Sequence, residues 1–361
     1  MTAADPEAAL RHAIAEQMGV TDGEVTLTSE ATEATAHDIV LGRTGPGTPC
    51  GDLLRRYWYP IALVRDLTEE RPIKAVRILS ETLVLFKDGT GKVGLMQDRC
   101  THVGGPMIYG WIDPKGLGCG FHDWVFDTEG NCFFKFYNRY IPRPWAKAKA
   151  YPVQQYAGIY WTYVGPEPIP ALPRYDILAR TDGTRRITAY PEIQANWLAD
   201  GIGDASVPPI SADQTESTQF ALTTYGITKR TVSRTGEIDE QALILPTHLR
   251  TDALWLRTPM DDGHIWQVRV DFVPGPESGI DPAEETPEVA DDESHHADAA
   301  TIPPFVSLDS WGSGGGPNAD RGQVLLRALL LQDLHRVHQG LDPLGTVRNP
   351  EHAIINTKLN S

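Results

Sequence analysis

The residues most suited to chemistry are two short segments that each hold one cysteine and one histidine. The first is Cys100-Thr101-His102, and the second, after sixteen further residues, is Cys119-Gly120-Phe121-His122. Two thiolates and two imidazoles can hold one tetrahedral zinc ion, or a two-iron cluster with the cysteines on one iron and the histidines on the other. Zinc fingers usually take both cysteines from one turn, whereas each turn here supplies one of each. This mixed pairing favours the two-iron cluster over zinc and over four unrelated residues.

The two remaining cysteines, Cys50 and Cys132, have no paired histidine. We interpret both as small buried apolar side chains without a chemical role. Four cysteines in a chain of 361 residues are also too few for a disulfide framework.

Length and composition limit the possible classes of protein. The chain of 361 residues predicts two or three domains, and its 41% apolar and 22% charged residues are typical of a soluble protein. The net charge of −16 repels phosphate backbones and anionic lipids, which argues against nucleic-acid and membrane partners. The first residues resemble neither a secretory signal nor a transit peptide, so we expect a cytoplasmic protein.

The pattern of elements predicts a small all-β region followed by an α+β region. Residues 45–58 indicate a turn and a short helix, and Val76–Asp88 is typical of a β-hairpin. Residues 165–176 contain four prolines, which predicts an extended linker and a domain boundary.

Beyond the linker, residues 191–205 predict the end of a strand leading into a helix, and residues 220–236 and 263–275 alternate as half-buried antiparallel strands do. Residues 322–339 predict a helix that ends at Gly340, with these apolar residues at helical spacing: Val324, Leu325, Ala328, Leu331, Leu334 and Val337. The nine acidic residues in Glu277–Asp298 predict a mobile loop.

At the cysteine and histidine segments the sequence resembles the Rieske non-haem iron oxygenases of the phthalate dioxygenase-like group. The motifs are CTHVGGP and CGFHDWVFDTEGNC, and further similar segments extend the resemblance over residues 43–350, among them GPGTPCGDLLRRYWYPIAL and ANWLADGIGDA. It implies an N-terminal extension (1–42), an all-β Rieske [2Fe-2S] domain (43–165) and a C-terminal helix-grip domain (166–361) with an acidic mobile loop at 277–300.

The resemblance also implies ligands and partners. Cys100 and Cys119 would bind one iron of the [2Fe-2S] cluster and His102 and His122 the other, with Trp124 packed beside them. Members of the group form trimers or paired trimers and receive electrons from a reductase. We therefore expect a ferredoxin or flavin reductase as a partner, and a homotrimer or a hetero-hexamer.

The sequence departs from the group at the mononuclear iron, which is normally held by two histidines and one carboxylate. The histidines follow an aspartate at its third and eighth positions. The aspartate matches Asp204, but those positions hold Val207 and Ala212, which cannot bind iron. Asp320 matches the third ligand, although it is equally suited to capping the final helix. In relatives the residue matching Asp204 bridges a cluster histidine to the iron site of a neighbouring subunit, and the alternative role is a helix-associated acid.

A rebuilt iron site would have to use other histidines. The second half of the chain contains His248, His264, His295, His296, His335, His338 and His352. His264 matches a position that is not a ligand, and His335 and His338 lie on a helix surface that the intervening Arg336 marks as solvated. The sequence therefore predicts that no mononuclear iron binds in the usual way, while a site built around His335 and His338 stays open as an alternative.

Three functions are consistent with these observations. The first is a Rieske oxygenase subunit that lacks its own mononuclear iron and acts as a structural or electron-transfer partner of a homologous active subunit. The second is a catalytic oxygenase with a non-standard iron site that hydroxylates or demethylates a small aromatic or heterocyclic compound. The third is a free-standing Rieske electron carrier. The iron content separates the second from the other two.

Overall fold

The computed structural model describes residues 41–198, 215–274, 293–301, 307–308 and 321–357. Almost all of the predicted N-terminal extension lies outside these ranges, and so does most of the predicted acidic loop. The residues assigned to the mononuclear iron also lie outside them: Asp204, Val207, Ala212 and Asp320.

The amino-terminal part consists of one short helix and twelve strands among the described residues. Helix α1 is Pro49–Leu54, and the strands are β1 (Trp58–Leu63), β2 (Ile73–Ile78), β3 (Glu81–Lys87), β4 (Val93–Gln97), β5 (Trp111–Asp113), β6 (Gly116–Gly118), β7 (Trp124–Phe126), β8 (Cys132–Phe136), β9 (Arg139–Pro142), β10 (Ala150–Tyr151), β11 (Val153–Tyr156) and β12 (Ile159–Tyr163). The predicted helix and hairpin are confirmed, since α1 follows the Thr48 cap and β2 pairs antiparallel with β3.

These strands form three sheets. One contains β1, β12 and β11, the second has the order β10-β4-β3-β2, and the third is a meander of β5 to β9 in sequence order. Short strands joined by tight turns present loops at the ends of the meander. The two cysteine and histidine segments lie at such loops, after β4 and after β6.

The carboxyl-terminal part is built on one large sheet. Its elements are β13 (Arg174–Tyr175), α2 (Asp176–Ala179), β14 (Gly183–Ala189), β15 (Thr215–Thr223), β16 (Gly226–Ser233), β17 (Ile238–Ile244), β18 (His248–Arg250), β19 (Leu254–Asp261), β20 (His264–Pro274), β21 (Glu293–His296), α3 (Arg321–His338) and β22 (Ile354–Ile355). The eight-stranded sheet has the order β15-β16-β17-β18-β19-β20-β14-β21, and all its pairs are antiparallel except β14 with β21. An antiparallel sheet with one long helix is the α+β arrangement that the sequence predicts.

The proline-rich stretch carries no helix or strand between Tyr163 and Arg174, as expected for an extended linker. The two parts nevertheless share a hydrophobic core. Its buried residues include Leu54 and Leu83 from the first part and Leu243 and Leu326 from the second. The backbone also joins them, because the Leu79 N–H donates to the Pro259 carbonyl at 2.9 Å. The linker therefore connects two regions that pack tightly against each other.

Helix α3 is confirmed, and Gly340 ends it with a φ of +78°, but the predicted apolar face is only partly right. Val324 is half exposed, whereas the buried face is formed by Leu325, Leu326, Leu329 and Leu330. Of the six predicted residues, Leu325 lies in the core and Ala328, Leu334 and Val337 pack against it, so the packed face is wider than the predicted stripe. Because leucines fill almost two adjacent stripes, periodicity alone could not choose between them.

The prediction of a mobile loop at 277–300 is wrong at its carboxyl-terminal end. Residues Glu293–His296 form strand β21, which pairs parallel with β14. His296 Nε2 lies 2.6 Å from Asp66 Oδ1, and His295 Nε2 lies 3.2 Å from the Thr188 hydroxyl. The free edge of β14 offers backbone hydrogen-bonding groups to this segment, so it forms a strand despite its acidic composition.

No helix in the described part of the chain has the length and apolar character needed to cross a membrane.

Helix α3 also buries one carboxyl group, that of Asp333. Its Oδ1 accepts the Leu344 N–H at 3.0 Å, and only 1% of the residue is exposed. Burial raises the pKa of Asp333 to about 7, against the opposing effects of this hydrogen bond and of Arg336. The carboxyl anchors the segment that follows the helix.

We predict that Asp333→Asn raises stability at neutral and alkaline pH. The folded chain keeps the Asp333 proton up to about pH 7, whereas the unfolded chain loses it near pH 3.8. The free energy of unfolding is therefore highest below pH 3.8, where Asp333 is protonated in both states. It falls as the pH rises to about 7, because the unfolded chain ionises first. The amide of Asn cannot ionise, so the variant avoids this fall in the free energy of unfolding, which amounts to as much as about 4 kcal/mol.

Thermal unfolding followed by circular dichroism between pH 4 and pH 8 measures the effect. The difference between variant and wild type should grow with pH and level off above pH 7. Asp298→Asn, which changes an exposed carboxylate, is the control and should shift neither curve. An equal loss of stability in Asp333→Asn at every pH would contradict the prediction.

Candidate iron–sulfur site

The first ligand-type segment is held in a tight turn after β4. The Cys100 N–H donates to the Gly105 carbonyl at 2.9 Å, and the Gly104 N–H donates back to the Cys100 carbonyl at 2.9 Å. Gly104 has a φ of +79°, which glycine adopts without steric cost. The Thr101 hydroxyl donates to the Ala146 carbonyl at 2.7 Å and fixes the turn to the chain beyond β9.

The second segment is a matching turn between β6 and β7. The Cys119 N–H donates to the Trp124 carbonyl at 2.7 Å, so that His122 projects from the turn that these residues close. Asp123 adopts a left-handed conformation with a φ of +56°, one that aspartate tolerates better than most residues. Both cysteines are therefore fixed by their own backbone N–H groups.

The two turns approach each other at Gly105. A Cβ atom there would lie 3.0 Å from Cδ2 of Phe121 and 3.4 Å from the Cys119 sulfur. The first contact is tighter than van der Waals packing normally allows. The absence of a side chain at Gly105 thus lets the first turn close over the second.

The four predicted ligand residues come together as two pairs. Cys100 and Cys119 are buried, with 4% and 1% exposure, and their side chains are within hydrogen-bonding reach of each other. The rings of His102 and His122 are exposed, and their centroids lie 4.8 Å apart at an angle of 82°. The sulfurs lie on the inner side of the turns and the imidazoles on the outer side.

This pairing bears on the choice between zinc and a two-iron cluster. The donors lie as a cysteine pair on the inner side of the turns and a histidine pair on the outer side. A [2Fe-2S] cluster of the mixed type takes two cysteines on one iron and two histidines on the other. The donor set and its arrangement fit the cluster.

The two sulfurs would ionise only beside a bound cation. Burial raises the pKa of the Cys100 thiol to about 11, and the neighbouring Cys119 contributes to the rise. Two buried thiolates side by side therefore need a positively charged group between them. Ferric or ferrous ions supply that charge, and cysteine binds metals as the thiolate.

Two tryptophans lie beside the histidine pair, one in contact with His102 and the other behind it. Trp124 stacks on the His102 ring with centroids 4.5 Å apart at 12°, which confirms the predicted position of this residue. Trp145 meets Trp124 edge to face at 5.4 Å and is itself 72% exposed. Trp145 is not among the residues predicted from the sequence. Trp145 lies more than twenty residues beyond the second turn, so its spacing does not indicate a place near the site. The Pro144-Trp145 pair is the one signal that its local sequence offers.

Cys50 and Cys132 are buried, as predicted. Burial raises the pKa of Cys132 to about 12, and nearby Cys100 adds to this effect. The pKa of Cys50 is raised well above its usual range, again chiefly by burial. Both thiols therefore stay protonated.

The other histidines of the described residues do not gather at a second site. His248 is fully buried and its Nδ1 accepts the Arg257 N–H at 3.1 Å. His264 contacts Asp261 at 2.9 Å. His335 contacts Gln339 at 2.8 Å, and both His335 and His338 are exposed on helix α3. Burial lowers the pKa of His248 to about 3, so this imidazole is neutral.

Comparison with known proteins agrees with the site geometry. The Rieske [2Fe-2S] domain family matches residues 57–138, a span that includes both turns and all four candidate ligand residues. The 5,5'-dehydrodivanillate O-demethylase oxygenase subunit of Sphingobium sp. (strain NBRC 103272 / SYK-6) is 29% identical over 357 residues, covering 86% of this chain and 82% of that protein.

A second relative is more similar over a shorter span. The phenoxybenzoate dioxygenase subunit alpha of Ectopseudomonas oleovorans is 43% identical over 174 residues, which are 47% of this chain and 42% of that protein. Among solved structures, the Pseudomonas putida CBB5 NdmA QL mutant with theobromine superimposes with a TM-score of 0.48 at 17% identity, covering 86% of this chain and 98% of that chain.

The chain carries a Rieske [2Fe-2S] domain and is a homologue of the α-type oxygenase subunits of the Rieske oxygenase family.

We predict that His102→Ala or His122→Ala abolishes the visible absorption of the protein and the electron paramagnetic resonance signal of its reduced form. Each substitution removes one of the two imidazoles that a Rieske cluster requires. His335→Ala, which changes an exposed histidine on helix α3, should leave both spectra unchanged. A colourless wild-type protein containing one zinc ion per chain would contradict this prediction.

Proposed function

We propose that this chain is an electron-transferring subunit of a Rieske oxygenase and does not bind a mononuclear iron of its own. One observation carries the proposal. The chain holds a complete set of two cysteines and two histidines for the cluster, yet it has no histidine at all between His122 and His248. Ferrous iron in a facial triad needs two imidazoles, and the segment around Asp204 offers none.

In this proposal Cys100 and Cys119 bind one iron of the [2Fe-2S] cluster, and His102 and His122 bind the other. When bound, such a cluster carries one electron at a potential above that of all-cysteine ferredoxins, because neutral imidazoles replace two anionic ligands. The buried cysteines keep water from the sulfur side. The exposed imidazoles place the other side at the protein surface.

The surface around the histidines is suited to contact with another protein. Four large apolar residues of the turns and their surroundings are between 62% and 78% exposed, namely Val103, Tyr109, Phe121 and Trp145. Exposed apolar groups of this size usually mark an interaction surface. We call these four residues the apolar rim.

The proposed partners follow from the same surface. A ferredoxin or flavin reductase supplies electrons, and a homologous subunit with intact iron ligands uses them. We propose a homotrimer or a hetero-hexamer in which the apolar rim of one subunit meets its neighbour. Asp204 would form the bridge to that neighbour, in keeping with the role of the matching residue in relatives.

A catalytic oxygenase is the second candidate function. It is favoured by the alignment with an O-demethylase oxygenase subunit over 82% of that protein's length, which reaches well beyond the Rieske domain. In that case the chain would act on a small aromatic or heterocyclic compound with iron held by other ligands. The scattered positions of His248, His264, His335 and His338 argue against such a site within the described residues.

We predict that the purified protein contains two irons and two acid-labile sulfides per chain. With a competent reductase it should be reduced, but it should not consume oxygen in response to an aromatic substrate, because the histidines of the second iron are missing. Iron and sulfide analysis with oxygen-electrode measurements tests this. Three irons per chain, or stoichiometric oxygen uptake by the chain alone, would establish the catalytic alternative instead.

We also predict that the protein assembles beyond the 39.8 kDa chain. The double substitution Tyr109→Ser and Trp145→Ser should weaken assembly, because it removes apolar area from the rim. Size-exclusion chromatography with light scattering measures the mass, and the visible spectrum shows whether the cluster is retained. Val273→Ser is a control, since Val273 is also exposed but lies on strand β20. A wild-type monomer at all concentrations would favour the free-standing electron carrier.

A further inference from the structure

A cavity of about 620 Å³ lies between helix α1 and the carboxyl-terminal turns of helix α3. It shares no lining residue with the two turns of the iron–sulfur site. Ligand pockets for small molecules usually measure about 300–1,000 Å³, so this cavity is large enough for a small organic compound. The proposed electron-transfer function makes no use of it.

One side of the cavity is apolar. Leu334 and Val337 lie three residues apart on helix α3 and therefore share a face, and Pro49 and Pro166 complete the wall. Both α3 side chains are partly buried against the first hydrophobic core. A flat or branched hydrocarbon group would lose contact with water against this wall.

The polar side contains an arginine with unused hydrogen-bonding capacity. The Arg56 guanidinium is partly buried and has no hydrogen-bonded partner within the described residues. Its neighbour Arg55 differs, because it donates to the carbonyl of Thr44 at 3.0 Å and pairs with Glu81 at 2.8 Å. Arg56 is thus the arginine of the cavity that is available to a ligand, and the exposed His338 lines the cavity beside it.

The other charges limit which ligand fits. Asp52 also lines the cavity, and its carboxylate accepts the Gly47 N–H at 3.2 Å. Asp342 lies close enough to Arg56 for the guanidinium to help lower the pKa of that carboxyl, but Asp342 is already paired with Arg348. With one free guanidinium and a carboxylate nearby, a monoanion is favoured over a phosphate dianion.

We propose that this cavity binds a small organic monocarboxylate, with the carboxylate on Arg56 and the apolar body against Leu334 and Val337. Guanidinium and carboxylate groups match in a bidentate, charge-assisted geometry. The net charge of −16 opposes anion binding elsewhere on the chain, so an unpaired arginine against an apolar wall marks a selective site. The proposal does not depend on the role of the iron–sulfur site.

Isothermal titration calorimetry of the full chain with benzoate tests the proposal. Wild type should bind benzoate, and Arg56→Gln should bind it at least about tenfold more weakly because a charge-assisted hydrogen bond is lost. Benzyl alcohol has the same ring without the charge and should also bind about tenfold more weakly. Arg71→Gln is the matched control, since Arg71 is exposed and does not line the cavity, and it should bind as wild type does.

A second variant tests the position of the ligand. Val337→Trp fills the cavity while leaving Arg56 in place and should abolish benzoate binding, with circular dichroism showing that the chain remains folded. Wild-type affinity in either Arg56→Gln or Val337→Trp would overturn the proposal. Equal affinity for benzoate and benzyl alcohol, or no binding of benzoate by wild type at millimolar concentration, would overturn it as well.

Discussion

The amino-terminal half is organised around two buried sulfurs that must lie side by side. Thiolates in such a position repel each other and lose hydration, so they require a cation between them and a rigid backbone around them. Two reciprocal turns provide that backbone, one closed by Cys100 with Gly105 and the other by Cys119 with Trp124. The meander of short strands serves to bring these turns together.

The same requirement explains the division between buried and exposed ligand residues. The cysteines lie within a core that also contains Met107, Leu117 and Phe126, whereas the two imidazoles face outward. The buried thiolates need a compensating cation, whereas the polar rings of the imidazoles are hydrated at the surface. In the proposed electron-transfer role, an electron would therefore pass through the exposed histidines and not through the buried sulfur side.

Much of this was predictable because the chemistry is local in sequence. Cys100, His102, Cys119 and His122 lie within 23 residues, and their types and spacing predict both the site and the domain around it. Three strands of the large sheet, β15, β16 and β20, were predictable from the alternation in residues 220–236 and 263–275. Trp145 could not be predicted, because its contact with Trp124 depends on how the chain returns after β9. The buried face of helix α3 and the partners of His295 and His296 likewise depend on tertiary packing.

Strand β21 has a consequence for the solubility of the whole chain. Without β21 the sheet would have seven strands and end at β14, which would present a row of unpaired backbone groups, and such edges pair readily with other molecules. Strand β21 covers this edge in parallel, and its His296 fastens it to Asp66 in the amino-terminal part. The sheet then ends at a strand of four residues, and the two histidines that could have been mistaken for iron ligands hold that strand in place. A chain shortened at the acidic segment would expose the longer edge of β14 while keeping the two cysteine and histidine turns.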